Sequence, residues 1–297
     1  MKLIIEQLLD CQSLTQAESR NVMFEIMSGN YDDAQIAGFL IALRSKGANS
    51  TEIAGFAQAM RDKMTNIDSV EDAIDMCGTG GDSSGTFNIS TAASFVVASA
   101  GVPVAKHGNR SMTSKSGSAD VLTALGVDIT LPPEIVSECI EKIGIGFMFA
   151  PSLHPAMKYA MGARKSLGTR TVFNILGPLC NPARVKRQLM GIFNGDLTEI
   201  VANVLQKLGS VHAMIVHGDD GLDEITTTDN TKISHLNNNG EIVTSSFSAK
   251  DHGFELSSLK DLKGGMPKEN AKIIQNILSG NEIGKKSVIV ILNAAAG

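Results

Sequence analysis

Cysteine, long apolar runs and excess positive charge are all scarce in this chain of 297 residues. Its four cysteines, Cys11, Cys77, Cys139 and Cys180, lie far apart and form no C-x-x-C pair. That argues against a structural zinc and against a disulfide framework, and it fits a reducing, cytoplasmic setting. No stretch reaches about 18 apolar residues, so no membrane span is expected. The first ten residues, MKLIIEQLLD, mix acidic side chains with amphipathic spacing and read as a helix, not a signal peptide. Lys and Arg number 26 against 31 Asp and Glu, a formal net charge of −5, so no bulk basic surface awaits nucleic acid. Internal repeats, low-complexity segments and heptads are also missing. What remains is ordinary: 43% hydrophobic and 19% charged residues, enough for one large domain, or one large and one small, with a sizeable core.

The chain is organised around the stretch from Asp75 to Asp120. Ile74 to Cys77 reads as a strand end. Gly78, Gly80 and Gly81 follow within four residues, a clustering that lets a ligand approach the main chain without Cβ interference. Asn88, Ser90 and Thr91 then precede an Ala/Val-rich run to Ala100, the pattern of a helix start, whose free N–H groups and dipole suit phosphate. The device repeats. Val102 to Ala105 reads as a second strand that delivers Lys106, His107, Asn109, Arg110 and Lys115 into a Gly/Ser-rich loop, with Ser116, Gly117 and Ser118 ahead of a helix over Ala119 to Leu125. Two such units, with three cations in the second loop, predict a site for a highly phosphorylated ligand. Neither loop matches G-x-G-x-x-G or G-x-x-x-x-G-K-[ST], so the common nucleotide motifs do not apply.

Gly78-Thr79-Gly80-Gly81-Asp82, Asn88-Ile89-Ser90-Thr91 and Lys106-His107-Gly108-Asn109-Arg110 resemble the signature loops of the anthranilate phosphoribosyltransferase family, which belongs to the nucleoside phosphorylase-like phosphoribosyltransferases. The resemblance implies contacts to 5-phosphoribosyl 1-diphosphate (PRPP) by Gly78, Gly81, Asp82, Thr86, Asn88, Ile89, Ser90, Thr91, Lys106, His107, Gly108, Asn109, Arg110, Ser114 and Ser118.

The rest of the chain agrees with an α/β fold: a large domain with a mainly parallel central sheet flanked by helices, plus a small all-helical domain. Residues 1 to about 69 read as four helices, with Thr15 and Glu18 as a capping box, Asp32 or Asp33 as the next cap, and Ser50 or Thr51 starting the fourth. Pro132 and Pro133 start a helix ending near Ile143, Gly146 to Ala150 is a buried strand, and its exit is Pro151-Ser152-Leu153-His154-Pro155. A helical excursion over about 164–189 packs back on residues 1–69. The sheet resumes at Leu189 to Phe193, a helix runs from Asp196 or Thr198 to Leu208, and Val211 to Val216 is a further strand. A small hairpin turns at Asn239-Gly240. Helices at about 268–279 and from 284 end the chain. The expected division is therefore 1–69 with 164–189 for the helical domain and 70–163 with 190–297 for the α/β domain.

The second chemical element is the strand exit His217-Gly218-Asp219-Asp220-Gly221-Leu222-Asp223-Glu224. Four carboxylates within six residues repel one another unless a cation is present. The spacing alone leaves two readings, a solvated acidic turn and a Mg²⁺ site shared with substrate phosphates. His154, between two prolines, reads either as a satisfied loop histidine or as a site residue, and Arg164 either as a surface ion pair or as a carboxylate fork.

The resemblance narrows these. It implies Asp223 and Glu224 as metal ligands with Ser90 as a further contact, and Mg²⁺ as the cofactor. It implies Arg164 facing the anthranilate carboxylate, with Gly78, Asn109, His107 and His154 lining that acceptor side. It implies a homodimer formed through the N-terminal helices; members of the family usually run a few dozen residues further, the one departure of this sequence from the pattern. The expected reaction is displacement of pyrophosphate from C1 of PRPP by the amine of anthranilate, in tryptophan biosynthesis, with no assigned acid or base. Two other readings share the fold. A pyrimidine nucleoside phosphorylase would need no acidic Mg²⁺ loop, and a non-catalytic nucleic-acid-binding relative would carry a basic stripe and degraded loops. The acidic loop opposes the first, and the net charge and intact motifs oppose the second.

Overall fold

The computed structural model describes residues 1–82, 84–111 and 115–297. Four helices open the chain: α1 (Lys2–Leu9), α2 (Gln16–Met27), α3 (Asp33–Lys46) and α4 (Ser50–Lys63). Their starts follow from local chemistry. Thr15, Asp32 and Asn49 each accept from the backbone three residues on, with Glu18, Gln35 and Glu52 reaching back. The fourth cap is Asn49, and its helix starts at Ser50 as expected. Phe39 and Phe56 meet edge to face at 5.8 Å inside this group.

The α/β part follows as β1 (Ile74–Gly78), α5 (Ile89–Ser99), β2 (Val104–Gly108), α6 (Ser118–Ala124), α7 (Pro133–Ile143), β3 (Ile145–Phe149) and the one-turn α8 (Ala150–Leu153). The helical excursion holds α9 (Lys158–Leu167) and α10 (Phe173–Leu179). Then come β4 (Arg187–Gly191), α11 (Thr198–Lys207), β5 (His212–Gly218), the hairpin β6 (Asn230–Leu236) and β7 (Ile242–Ser248), α12 (Pro267–Leu278) and α13 (Lys285–Ala296). Two expectations shift. The sheet resumes at Arg187, not Leu189. β2 begins at Val104 and runs to Gly108, so Lys106 and His107 sit in the strand and are buried, not in the loop after it.

The seven strands form one sheet in the order β3-β2-β1-β4-β5-β6-β7. The first five are parallel, and the hairpin adds two antiparallel strands at one edge. Alternate residues of a strand serve opposite faces. Cys77, Met190 and Ile215 join a core with α2–α4 and α9–α11, while Met76, Leu189 and Val216 join a second core with α5, α12 and α13. Strand order reverses between β1 and β4, the switch point where the carboxyl ends of an open α/β sheet leave a crevice.

Candidate active site

At that switch point the ends of β1 and β4 pair through Gly78 and Gly191. The loop after β5 lies directly over them. A Cβ on Gly191 would stand 1.6 Å from the Asp223 carbonyl oxygen, so only glycine admits the acidic loop there, while one on Gly78 would stand 2.7 Å from the Asp223 carboxylate and displace it. Beyond Gly78, Thr79 donates its N–H to Gly191 at 3.0 Å, and its hydroxyl accepts from the Phe193 N–H at 3.0 Å. The glycine turn is thereby pinned to β4.

The acidic loop and the two expected phosphate elements meet in this crevice. The Gly80 N–H donates to Asp223 Oδ2 at 2.8 Å, and the Ser90 N–H, at the start of α5, donates to Glu224 Oε1 at 3.1 Å. Of the four carboxylates, Asp219 is exposed, and Asp220 is already satisfied: it accepts from the Thr226 and Thr228 hydroxyls and from the Leu222 N–H. Asp223 and Glu224 are left facing the crevice with Asp82 nearby. Burial, then the Asp82 charge, pushes the Asp223 carboxyl up to about 6. Burial, then Asp223, pushes Glu224 well above the usual carboxylate range, with Lys106 acting in the opposite sense. The donors are hard oxygens. Among the described residues no three His, Cys, Asp or Glu groups close a complete metal cage. Two carboxylates that destabilise each other, with open positions for water and substrate oxygens, fit Mg²⁺ rather than a metal held by protein alone.

Lys106 and His107 leave β2 on opposite sides of the strand. Lys106 is buried, and its ammonium donates to the Met76 carbonyl. Burial lowers its pKa while Asp75 pulls it back up. The His107 N–H donates to Asp75 at 3.1 Å, and Asn181 bridges Asp75 Oδ2 at 2.8 Å and the Ala105 carbonyl at 3.0 Å. The second loop is held from inside. Asp120 accepts from the Ser111 and Gly117 N–H groups and pairs with Arg110 at 3.0 Å, so Arg110 already has an anion and the expected trio of loop cations reduces to Lys115. Ser118 donates to the Asn109 carbonyl. Asn88 donates to the Ser116 carbonyl at 3.0 Å, joining the two loops. The Ile89 side chain turns into the core, the Thr91 hydroxyl is buried without a hydrogen-bond partner among the described residues, and Thr86 bridges to Lys263. Ser114 lies outside the described residues.

On the helical side, α9 is tied to α3 by the Ala163 N–H, which donates to Asp33 at 3.0 Å. It carries Arg164 half-buried, with the guanidinium 5.1 Å from the Phe173 ring. Burial lowers its pKa, and among the described residues no carboxylate pairs with it. The arginine of this segment that reaches the glycine turn is Arg170, which donates to the Gly81 carbonyl and lies 4.2 Å from the Phe193 ring. His107 and His154 face each other, Nε2 to Nε2, at 3.2 Å. One ring supplies the bridging hydrogen and the other accepts it. Burial, then His154, lowers His107 to about 3, and burial lowers His154 to about 4, so both are neutral imidazoles.

Sequence reasoning missed four residues that support these loops: Asp75, Asn181, Asn270 and Asn293. Asn270 is buried on α12, donates to Asn88 Oδ1 at 3.0 Å and accepts from the Gly265 N–H at 2.7 Å. Asn293 is buried on α13 and bonds the Ile225 backbone. Partners 182 and 68 residues apart leave no local signal.

Comparison with known proteins agrees with this fold. Residues 70–297 match the model of the glycosyl transferase family a/b domain, and residues 2–64 match the helical bundle domain of the same family. A relative from Acetivibrio thermocellus, named anthranilate phosphoribosyltransferase, is 53% identical over all of this chain and 86% of its own length. The crystal structure of anthranilate phosphoribosyltransferase from Thermus thermophilus superposes with a TM-score of 0.93 at 39% identity, covering 99% of this chain and 88% of that one. The Saccharomyces cerevisiae enzyme in complex with PRPP and Mg superposes with a TM-score of 0.89 at 29% identity, covering 98% and 86%.

Proposed function

This chain belongs to the anthranilate phosphoribosyltransferase family, and from that premise we propose how its site works. The enzyme transfers the phosphoribosyl group of PRPP to the amine of anthranilate, giving N-(5-phosphoribosyl)anthranilate and pyrophosphate in tryptophan biosynthesis. The observation that carries the reading of the site is the pair of contacts from Gly80 to Asp223 and from Ser90 to Glu224. The same N–H groups that suit a diphosphate hold the carboxylates that suit its cation.

The diphosphate and ribose of PRPP are assigned to the glycine turn, the start of α5 and the Asn109–Ser118 loop. Asp223 and Glu224, with Ser90 beside them, are assigned as the residues that hold Mg²⁺, a reading that the yeast complex with PRPP and Mg supports. When bound, the cation would neutralise charge on the departing pyrophosphate. Substrate phosphates and the two carboxylates compete for the same N–H donors, so loading the site draws Asp223 and Glu224 off Gly80 and Ser90. The acceptor nitrogen is an aniline, neutral at pH 7. It needs no base before attack, and orientation supplies much of the rate. Arg164 is assigned to the anthranilate carboxylate: a half-buried guanidinium with no anion beside it among the described residues is ready for one. His107 and His154, held neutral, together with Gly78 and Asn109, line that side without taking the amine proton.

The helical region 1–69 with 164–189 is assigned to the acceptor side and the remainder, 70–163 with 190–297, to PRPP. A homodimer through α1 and α3 is part of the same reading. It is supported by Leu3, Leu9 and Ile41, which stay exposed on those helices. Among the described residues no helix is long and apolar enough to cross a membrane. A cytoplasmic setting, supported by four widely spaced cysteines without a disulfide, completes the assignment.

The test replaces Asp223 by Asn and Glu224 by Gln together. The expected outcome is at least a tenfold rise in the Mg²⁺ concentration that half-activates turnover. An unchanged metal response removes both residues from the cation site.

A further inference from the structure

We propose that Asn293, on the C-terminal helix α13, is a positioning residue that fixes the backbone from which Glu224 reaches the cation. The proposal rests on the assignment of Asp223 and Glu224 made above.

Asn293 is fully buried. Its amide oxygen accepts from the Ile225 N–H at 3.0 Å, and its Nδ2 donates to the Ile225 carbonyl at 2.9 Å. The same Nδ2 donates to the Ile289 carbonyl, one turn back in α13, also at 2.9 Å. A primary amide matches both the N–H and the C=O of a residue's backbone in this way, with donor and acceptor side by side and no charge at any pH. Ile225 is the residue immediately after Glu224, and its own side chain is buried among α13 residues. The other flank is fixed too. Leu222 is fully buried, its N–H donates to Asp220 and its carbonyl accepts from the Gly218 N–H at 2.8 Å. Asp223 and Glu224 are therefore strung between two anchored residues. Their carboxylates swing between backbone donors and cation while the main chain stays put.

A buried amide on a helix is costly unless its bonds are made. An apolar residue of similar size would fill the space but leave the Ile225 N–H and C=O unpaired in the core. Groups that orient ligands in this way change metal affinity or activity by about 10- to 100-fold when removed.

The test uses Mn²⁺ as probe. The electron paramagnetic resonance signal of free Mn²⁺ is titrated against the whole enzyme in the presence of PRPP, for wild type, Asn293→Ser and Asn293→Leu. Val290→Ala, buried on the same helix without a hydrogen bond to the loop, is the destabilised control. The expected result is Mn²⁺ binding about tenfold weaker in whichever Asn293 variants fold, wild-type binding in the control, and a KM for anthranilate within about twofold of wild type. Unchanged Mn²⁺ affinity in the Asn293 variants overturns the positioning role, and so does equal weakening in Val290→Ala. A wild-type enzyme that takes up no Mn²⁺ with PRPP overturns the cation assignment itself and this inference with it.

Discussion

Half-burying the guanidinium of Arg164 beside the Phe173 ring, with no anion in contact among the described residues, costs solvation that a bound carboxylate would restore. Arg164→Ala is therefore expected to raise the KM for anthranilate by roughly 10- to 100-fold, the size of a lost charge-assisted hydrogen bond, while the KM for PRPP changes by less than about threefold. Steady-state kinetics with each substrate varied in turn checks this, and equal effects on both would contradict the carboxylate role. At this scale the sequence was legible where chemistry is local. Asp223 and Glu224 stood out because four carboxylates crowd one strand exit. Which two were free did not, because the hydroxyls of Thr226 and Thr228 that satisfy Asp220 look like any polar turn. Arg164 is proposed on family resemblance, since nothing in its neighbours in sequence separates it from Arg170, whose guanidinium is occupied by the Gly81 carbonyl.

Element boundaries decided which side chains were buried. The apolar residues Val102 to Ala105 suggested a strand ending before Lys106. The strand in fact pairs with β3 through Gly108, so Lys106 and His107 enter the interior, where Met76, Asp75 and His154 receive them. Helix starts were read better, because a capping box is contained within four residues, as at Thr15 and Glu18. The contact between His107 on β2 and His154 at the end of α8 joins strand to helix, and it makes a pH prediction. Burial holds both folded-state pKa values below the ordinary 6.5, at about 3 and about 4. The stability this contributes is present above pH 6.5 and is lost as pH falls toward the folded values, because the unfolded chain takes up protons that the folded one refuses. Asp75, raised to about 6 by burial, works in the opposite sense: its contribution is full below 3.8 and is lost as pH rises through 6. It is common to wild type and His154→Gln and cancels in their difference. Denaturant unfolding at pH 7 and pH 5 is expected to show wild type losing about 1–2 kcal/mol more than His154→Gln. Equal losses would contradict a buried neutral imidazole at His154.

Across the whole molecule, one sheet serves two cores, and the ligand loops emerge where its strand order reverses. Strand–helix alternation made the parallel sheet legible, and hydrophobic content made a large core certain. The antiparallel hairpin was foreseen, but as a small one; it forms two seven-residue strands that complete the sheet edge. The support given by α12 and α13 was invisible, because Asn270 and Asn293 bond loops far away in the chain and a lone asparagine in a helix carries no local sign of its partner. The site is thus a property of the assembled molecule. The glycine turn comes from one strand exit, the acidic pair from another, the arginine proposed for the acceptor from the helical excursion, and the anchoring amides from the last two helices.

The central claim is that these parts together join PRPP to anthranilate. The most direct measurement mixes the purified protein with anthranilate, PRPP and Mg²⁺ and follows anthranilate fluorescence. The account predicts loss of fluorescence that requires both PRPP and the cation and releases pyrophosphate in equal amount. Fluorescence that stays constant with every component present, or that falls at the same rate without PRPP, would contradict it.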